Sequence, residues 1–157
     1  MSDRIAKLLT RLRKGIAKSQ EIFESLEPDQ WDMVLYEKPY PWSARDLLAH
    51  FVSAEAGLLR LARDVAAGGP GAPRGFEYDA FNATEQERLA HVPREQLLAD
   101  LMTARQVTIT WVEELEETAL DRTGRHPALG EVTVEVCINA IYGHQLMHMR
   151  DLMQVLD

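Results

Sequence analysis

The sequence predicts an all-α protein, a four-helix bundle formed by a single domain over residues 1–157. Apolar residues recur at helical spacing in four long stretches, and a long crossover joins the second stretch to the third. No stretch shows the convincing alternation of a strand. A length of 157 residues is near the commonest size of one domain and allows one substantial core.

The first helix is expected from about Asp3 to Leu26. Glu27-Pro28-Asp29 ends it, and residues 30–41 form a connection that contains two prolines. Its apolar surface is broad enough to face more than one neighbour. The residues of this surface are Ile5, Leu8, Leu9, Leu12, Ile16, Ile22 and Phe23.

The second helix is expected from about Ser43 to Ala67, before a Gly/Pro-rich loop. Ser43 followed three residues later by Asp46 is a variant of the capping box, with a carboxylate where the helix dipole favours negative charge. His50 lies at the edge of the apolar stripe of this helix, so we expect it to face inwards. Trp42, just before the helix, is expected to pack at the end of the bundle.

The crossover and the third long helix follow. The crossover holds aromatic residues from Phe76 to Phe81 and a helix of uncertain length at about 79–90. Long ordered connections are often functional, so these aromatic residues either wall a pocket or fill a satellite cluster. Pro93 suits the first turn of the third long helix, which is expected to end near Thr118. Residues 119–131 are expected to form a loop.

The last helix, expected from Thr133 to Leu156, carries the most informative pattern. His144 and His148 are four residues apart and therefore share one helix face, and Asp151 lies one turn further along. A buried imidazole must satisfy both ring nitrogens. A metal with a carboxylate partner would do so, and so would hydrogen bonds from neighbouring helices.

His50 adds a third inward-facing histidine from another helix. Neutral imidazole is the commonest protein ligand of transition metals, and three such ligands leave the open position typical of a catalytic site. We therefore predict that His50, His144 and His148 bind a transition metal. We expect Asp151 to orient one of the imidazoles.

Other reactive residues receive less weight. His91 and His126 lie in breaks between helices and are expected to be surface or turn histidines. Cys137 lies about two helical turns before the histidine pair, so we expect a small buried apolar residue and not a ligand. Glu55, five residues after His50, points away from that imidazole and is expected to pair with another helix.

Two motifs resemble those of the DinB-like superfamily of small metal-binding four-helix bundles. The motifs are Trp42-Ser43-x-x-Asp46-Leu47-Leu48-Ala49-His50 and His144-x-x-x-His148-x-x-Asp151-Leu152. The resemblance covers essentially the whole chain and implies an up-down-down-up bundle with a long crossover between helices 2 and 3. It also implies zinc or nickel on the three histidines, and a homodimer.

The resemblance leaves the reaction open. Members of the superfamily include transferases and isomerases that use mycothiol, bacillithiol or glutathione, and proposed metal hydrolases. We favour a metal-dependent enzyme of the thiol-dependent type, with a low-molecular-weight thiol and a small-molecule substrate. A hydrolase is disfavoured because Gln145, Leu146 and Met147 place no general base between the two histidines. A non-catalytic metal-binding stress-response module is the third alternative, and no further catalytic residue is assigned.

Composition bounds the partners and the location. The net charge of −8 disfavours binding to nucleic acid or to anionic membranes. The N-terminus lacks the apolar run of a signal peptide, and no apolar stretch reaches the length of a membrane span. A single cysteine suits a reducing compartment. We therefore expect a cytoplasmic protein without nucleic acid or membrane partners.

Overall fold

Five helices and two antiparallel strand pairs make up the computed structural model, which describes residues 1–157. The long helices are α1 (Asp3–Ser25), α2 (Ala44–Ala66), α4 (Arg94–Glu113) and α5 (Val134–Leu156), and the short helix α3 (Tyr78–Leu89) lies in the crossover. The strands are β1 (Val34–Tyr36), β2 (Trp42–Ser43), β3 (Thr123–His126) and β4 (Gly130–Thr133). β1 pairs with β2, and β3 pairs with β4.

The four predicted long helices are confirmed, and only the end of the third differs by more than two residues. That helix ends at Glu113 and not near Thr118, and a 3₁₀ turn follows at Glu117–Asp121. Acidic residues are concentrated at this end, from Glu113 to Glu117. Because the C-terminal end of a helix dipole is negative, carboxylates there oppose continuation of the helix.

The two connections that were expected to lack strands each contain a strand pair. Such short strands give no periodic signal in a sequence, and their pairing depends on contacts with the helices beside them. Gly124 of β3 shows this dependence. A Cβ atom at this position would lie 2.5 Å from Cγ2 of Val65, so only glycine lets the β3–β4 pair approach α2 this closely.

The packing of the helices gives an up-down-down-up bundle. α1 and α2 each pack against both α4 and α5 and therefore occupy opposite corners. One core cluster joins the beginnings of α1 and α5 to the ends of α2 and α4, and a second cluster joins the opposite ends. Hence α2 runs parallel to α4, and a parallel pair needs the long crossover that carries α3. No helix combines the length and apolar composition that crossing a bilayer requires.

The beginning of α2 fixes the position of His50. The Ser43 side chain accepts a hydrogen bond from the Asp46 backbone N–H at 3.2 Å, and the Asp46 carboxylate accepts one from the Ser43 backbone N–H at 2.9 Å. The capping box expected from the sequence is therefore present. It starts α2 at a defined residue, and His50 then faces α5 from the second turn.

Candidate metal centre

Helices α2 and α5 pack side by side and bring the three predicted ligands together. His50 is only 7% exposed, whereas His144 and His148 are half-buried. The buried face of α5 is centred on Gln145 and Met149 near the site, so the two histidines lie at its edge. This rotation turns both imidazoles towards α2 and leaves them partly accessible.

The Nε2 atoms of the three histidines face one another. His144 Nε2 lies 3.0 Å from His50 Nε2 and 3.2 Å from His148 Nε2. One nitrogen from each ring falls within 4.8 Å of the other two. The ring planes meet at steep angles, from 70° to 86°, so the rings converge edge-on and do not stack.

The surroundings keep all three imidazoles neutral. Burial, aided by the neighbouring imidazoles, lowers the pKa of His50 to about 3 and that of His144 to about 4. Burial also lowers the pKa of His148, and the Asp151 carboxylate opposes this shift. Near neutral pH each ring therefore has one nitrogen lone pair that can bind a metal.

A tyrosine that the sequence analysis missed links Asp151 to the site. The Tyr36 hydroxyl donates a hydrogen bond to the Asp151 carboxylate, and its oxygen lies 2.7 Å from His148 Nδ1. Burial and the Asp151 carboxylate raise the pKa of Tyr36, so the phenol keeps its proton. No sequence signal marked Tyr36, which precedes His148 by 112 residues in a segment interpreted as a plain connection.

Aromatic rings cover two sides of the histidine cluster. The Trp42 ring centroid lies 4.8 Å from that of His50, and the Phe51 ring lies 6.2 Å from His144 and 6.0 Å from His148. Trp42 therefore contacts a predicted ligand and does more than pack at the bundle end. The aromatic residues of the crossover pack loosely. The ring of Phe76 contacts that of Phe81, yet Phe76 remains 39% exposed.

The donor set fits a divalent transition metal. Two nitrogens bound to one zinc ion at tetrahedral angles lie ~3.3 Å apart, and the observed separations are 3.0 and 3.2 Å. No carboxylate or cysteine joins the cluster, which leaves three neutral nitrogen donors. Such donors suit zinc, nickel, copper and iron and not magnesium or calcium.

His126 differs from its expectation as a surface histidine. It is 7% exposed, and its Nδ1 accepts hydrogen bonds from the backbone N–H groups of Ala128 and Leu129 at 3.1 and 3.2 Å. The Nε2 atom of His126 is buried without a protein partner. The His126 ring lies near enough to His144 to lower the pKa of that ring. His91 is exposed, as expected.

The buried carboxylate of Glu55 belongs to a separate network. It accepts hydrogen bonds from Arg105 Nε at 2.5 Å and from the Thr108 hydroxyl at 3.1 Å, so it pairs with α4 as expected. Arg105 also donates to Gln145 at 2.6 Å. Cys137 is buried, as expected, and burial raises the pKa of its thiol.

A family model described as the DinB superfamily matches residues 11–152. This chain belongs to the DinB superfamily. The fold, the helix order and the histidine cluster all agree with the resemblance found in the two sequence motifs. No curated protein matches the chain in sequence.

Solved structures with the same fold include proteins described with different functions. YfiT from Bacillus subtilis, described as a probable metal-dependent hydrolase with an unusual four-helix bundle topology, has a TM-score of 0.79 and 16% identity over 98% of this chain and 87% of YfiT. A mycothiol-dependent maleylpyruvate isomerase has a TM-score of 0.76 and 17% identity over 97% of this chain. The DinB-family chain spans 63% of the length of that isomerase.

A third similar structure concerns nucleic acid. The colibactin self-resistance protein ClbS, solved in complex with double-stranded DNA, has a TM-score of 0.70 and 16% identity over 95% of this chain and 94% of ClbS. At such identities the likeness shows the fold alone. Since one protein with this fold is described with DNA, the fold does not exclude nucleic acid, and the absence of such a partner here stays a prediction based on charge.

Proposed function

We propose that this DinB-family protein is a divalent-metal-dependent enzyme that acts on a small-molecule substrate with the help of a low-molecular-weight thiol. His50, His144 and His148 would hold the ion, for which we propose zinc or nickel. The observation that supports this most directly is the convergence of three neutral imidazole nitrogens that have only one another as partners. The likeness to a mycothiol-dependent isomerase supports the choice of a thiol.

The residues around the site would prepare it for this chemistry. When bound, a divalent ion with three neutral ligands keeps its charge and lowers the pKa of a thiol or a water at its remaining position. Trp42 and Phe51 pack against the histidine rings and exclude water from those sides, which strengthens electrostatic interactions at the site. Asp151 and Tyr36 hold His148 in place.

A metal-dependent hydrolase is the second candidate, supported by the likeness to YfiT. Hydrolysis of this kind uses a general base beside the attacking water. Two carboxylates near the histidines in sequence are already bonded, since Glu55 accepts from Arg105 and Thr108 while Asp151 accepts from Tyr36. This arrangement favours a nucleophile that needs no separate base, such as a thiol ionised at the metal position.

Turnover assays with defined metals test the proposal. The chelator-treated protein is loaded with zinc or with nickel and assayed with mycothiol, bacillithiol and glutathione against a panel of small electrophiles. We expect turnover that requires both metal and thiol, and none in the His144→Ala variant. Ester or amide hydrolysis without thiol would favour the hydrolase. Stoichiometric metal binding without turnover of any kind would favour the non-catalytic module.

We also propose that the protein is a cytoplasmic homodimer, on the basis of the family and the single cysteine. The apolar surface of α1 that suggested more than one neighbour is buried within one chain, against α4 and α5. It therefore no longer supports a dimer by itself.

A further inference from the structure

We propose that Tyr36 is a positioning residue of the candidate metal centre. Its hydroxyl links Asp151 to His148 and thereby fixes the tautomer and the orientation of the His148 ring. The expected effect on metal affinity rests on the proposed function. The effect on the His148 tautomer rests only on hydrogen bonds within the chain. The Tyr36 hydroxyl contacts His148 at Nδ1 and not at Nε2, the atom that faces the other histidines, so it acts through His148.

A count of protons gives the tautomer. The Tyr36 hydroxyl has one proton, and it donates that proton to the Asp151 carboxylate, which only accepts. Its contact of 2.7 Å with His148 Nδ1 must then be a hydrogen bond that Nδ1–H donates to the phenol oxygen. A neutral His148 protonated at Nδ1 has its lone pair at Nε2, the atom that faces His144 at 3.2 Å.

The strand pair β1–β2 places Tyr36 beside α5. Tyr36 pairs with Trp42 in the β1–β2 register, and their rings meet edge-on at 6.4 Å. Trp42 in turn lies 4.8 Å from His50, while the Tyr36 ring lies 5.5 Å from His148. The same strand pair thus contacts a histidine on each of the two helices.

A tyrosine between carboxylate and imidazole has a specific effect. Ligating histidines commonly donate their second N–H to a carboxylate, a carbonyl or a water, which fixes the ring and raises its basicity. Here Asp151 lies three residues after His148 on the same helix, yet its carboxylate reaches the ring through the Tyr36 hydroxyl. The phenol supplies the fixed acceptor, and the carboxylate keeps the phenol proton pointing away from His148.

The tautomer is tested first in the metal-free protein. Long-range ¹⁵N–¹H NMR spectra report which ring nitrogen of His148 carries the proton. We expect Nδ1–H in the wild type and in the matched control Tyr40→Phe, whose hydroxyl bonds to the Asp79 carbonyl and to no histidine. Tyr36→Phe should shift His148 to Nε2–H or to a mixture. An Nε2–H ring in the wild type, or an unchanged ring in Tyr36→Phe, would overturn the proposal.

Metal affinity tests the consequence. Competition with a chromogenic chelator should show that Tyr36→Phe binds zinc about 10–100-fold more weakly than the wild type and Tyr40→Phe. Asp151→Asn, whose side-chain oxygen still accepts from Tyr36, should keep the tautomer and lose less affinity. The visible spectrum of the cobalt-loaded protein should change in Tyr36→Phe while the unfolding midpoint of its metal-free form stays near that of Tyr40→Phe. Equal affinity and equal spectra in all variants would overturn a positioning role.

The two proposals fail in different ways. A wild-type protein that binds no metal contradicts the proposed function, whereas the NMR result still decides whether Tyr36 sets the tautomer. A wild type that binds metal with an affinity independent of Tyr36 keeps the metal site and removes Tyr36 from it.

Discussion

At the residue scale, three histidine side chains in a partly apolar setting form the candidate metal centre. Their pKa values are lowered because burial disfavours the imidazolium form, and for His50 and His144 also because other imidazoles are near. The three Nε2 atoms that face one another have only one another as protein partners.

Removing one imidazole should abolish metal binding. We expect His144→Ala or His148→Ala to lose stoichiometric zinc or nickel, since two remaining ligands hold the ion poorly. His91→Ala serves as a control, because that histidine is exposed. Metal content is measured by mass spectrometry after loading and desalting. A wild type with no more metal than His144→Ala would remove the basis for the metal site.

The stability of the metal-free protein should depend on pH below about 6.5. The folded chain protonates His50 and His144 only near pH 3 and pH 4, whereas the unfolded chain does so near pH 6.5. Below pH 6.5 the unfolded state binds more protons than the folded state. The free energy of unfolding therefore keeps its full value above pH 6.5 and decreases as the pH falls. Each such proton contributes a slope of about 1.4 kcal/mol per pH unit.

Urea unfolding with a chelator between pH 7 and pH 5 measures this slope before most carboxylates titrate. His144→Ala should reduce the slope by roughly one proton, and His91→Ala should leave it unchanged. A free energy of unfolding that does not vary between pH 7 and pH 5 would show that the histidines titrate normally in the folded protein.

At the scale of elements, the beginning of α2 and the two strand pairs determine where the histidines lie. The capping box sets the first turn of α2, and both strand pairs dock on helices that carry ligands. β1–β2 contributes Tyr36 and Trp42, while β3–β4 ends in His126. The connections between helices thus supply the surroundings of the site, whereas the helices carry the three histidines.

The capping box should contribute measurably to stability. Ser43→Ala removes the side-chain acceptor of the Asp46 N–H and should lower the free energy of unfolding by about 1 kcal/mol. The matched control is Thr10→Ala, since the exposed Thr10 hydroxyl bonds only to a carbonyl of its own helix. Urea unfolding compares the two variants. A loss no greater than that of Thr10→Ala would mean that the cap does not stabilise α2.

Across the whole molecule, one buried arginine connects all four long helices. Arg105 of α4 donates to the Leu12 carbonyl of α1 at 2.9 Å, to Glu55 of α2 and to Gln145 of α5, and it is 1% exposed. Because Gln145 follows His144 directly, this network also fixes the rotation of α5. The ion pair therefore supports the histidine cluster from the core of the bundle.

Breaking the ion pair on one side should be severe. Arg105→Met leaves the Glu55 carboxylate buried and unpaired, which is expected to lower the free energy of unfolding by about 3–5 kcal/mol. The double variant Arg105→Met with Glu55→Leu removes both charges and should recover much of this loss. Denaturant unfolding of the wild type, both single variants and the double variant tests the coupling. Losses that simply add in the double variant would show that the two residues stabilise the bundle independently.

Association is the remaining prediction at this scale. The chain has a mass of 17.8 kDa, and the proposed homodimer would sediment as a particle of twice that mass at micromolar concentration. Sedimentation velocity distinguishes the two states. A single species with the mass of one chain would contradict the dimer and leave the metal site untouched.

The helices and the three histidines followed from local patterns. Apolar residues at helical spacing marked α1, α2, α4 and α5, because the apolar residues of a helix that buries one face recur about every 3.6 residues. The spacing of His144 and His148 placed both rings on one face, and the capping box fixed the phase of α2. These features depend on residues near one another in the chain, so the sequence alone determined them.

The surroundings of the histidines depended on the tertiary structure. Tyr36 lies 112 residues before His148, and its role exists only because β1 pairs with β2 beside α5. The burial of His126 likewise depends on the β3–β4 turn, whose short strands leave no periodic pattern. Contacts between distant segments are set by packing and by the pairing of backbone groups, which no local pattern records. The sequence therefore determined which residues of the long helices face inwards, whereas the fold decided which of them touch and which residues of the connections join them.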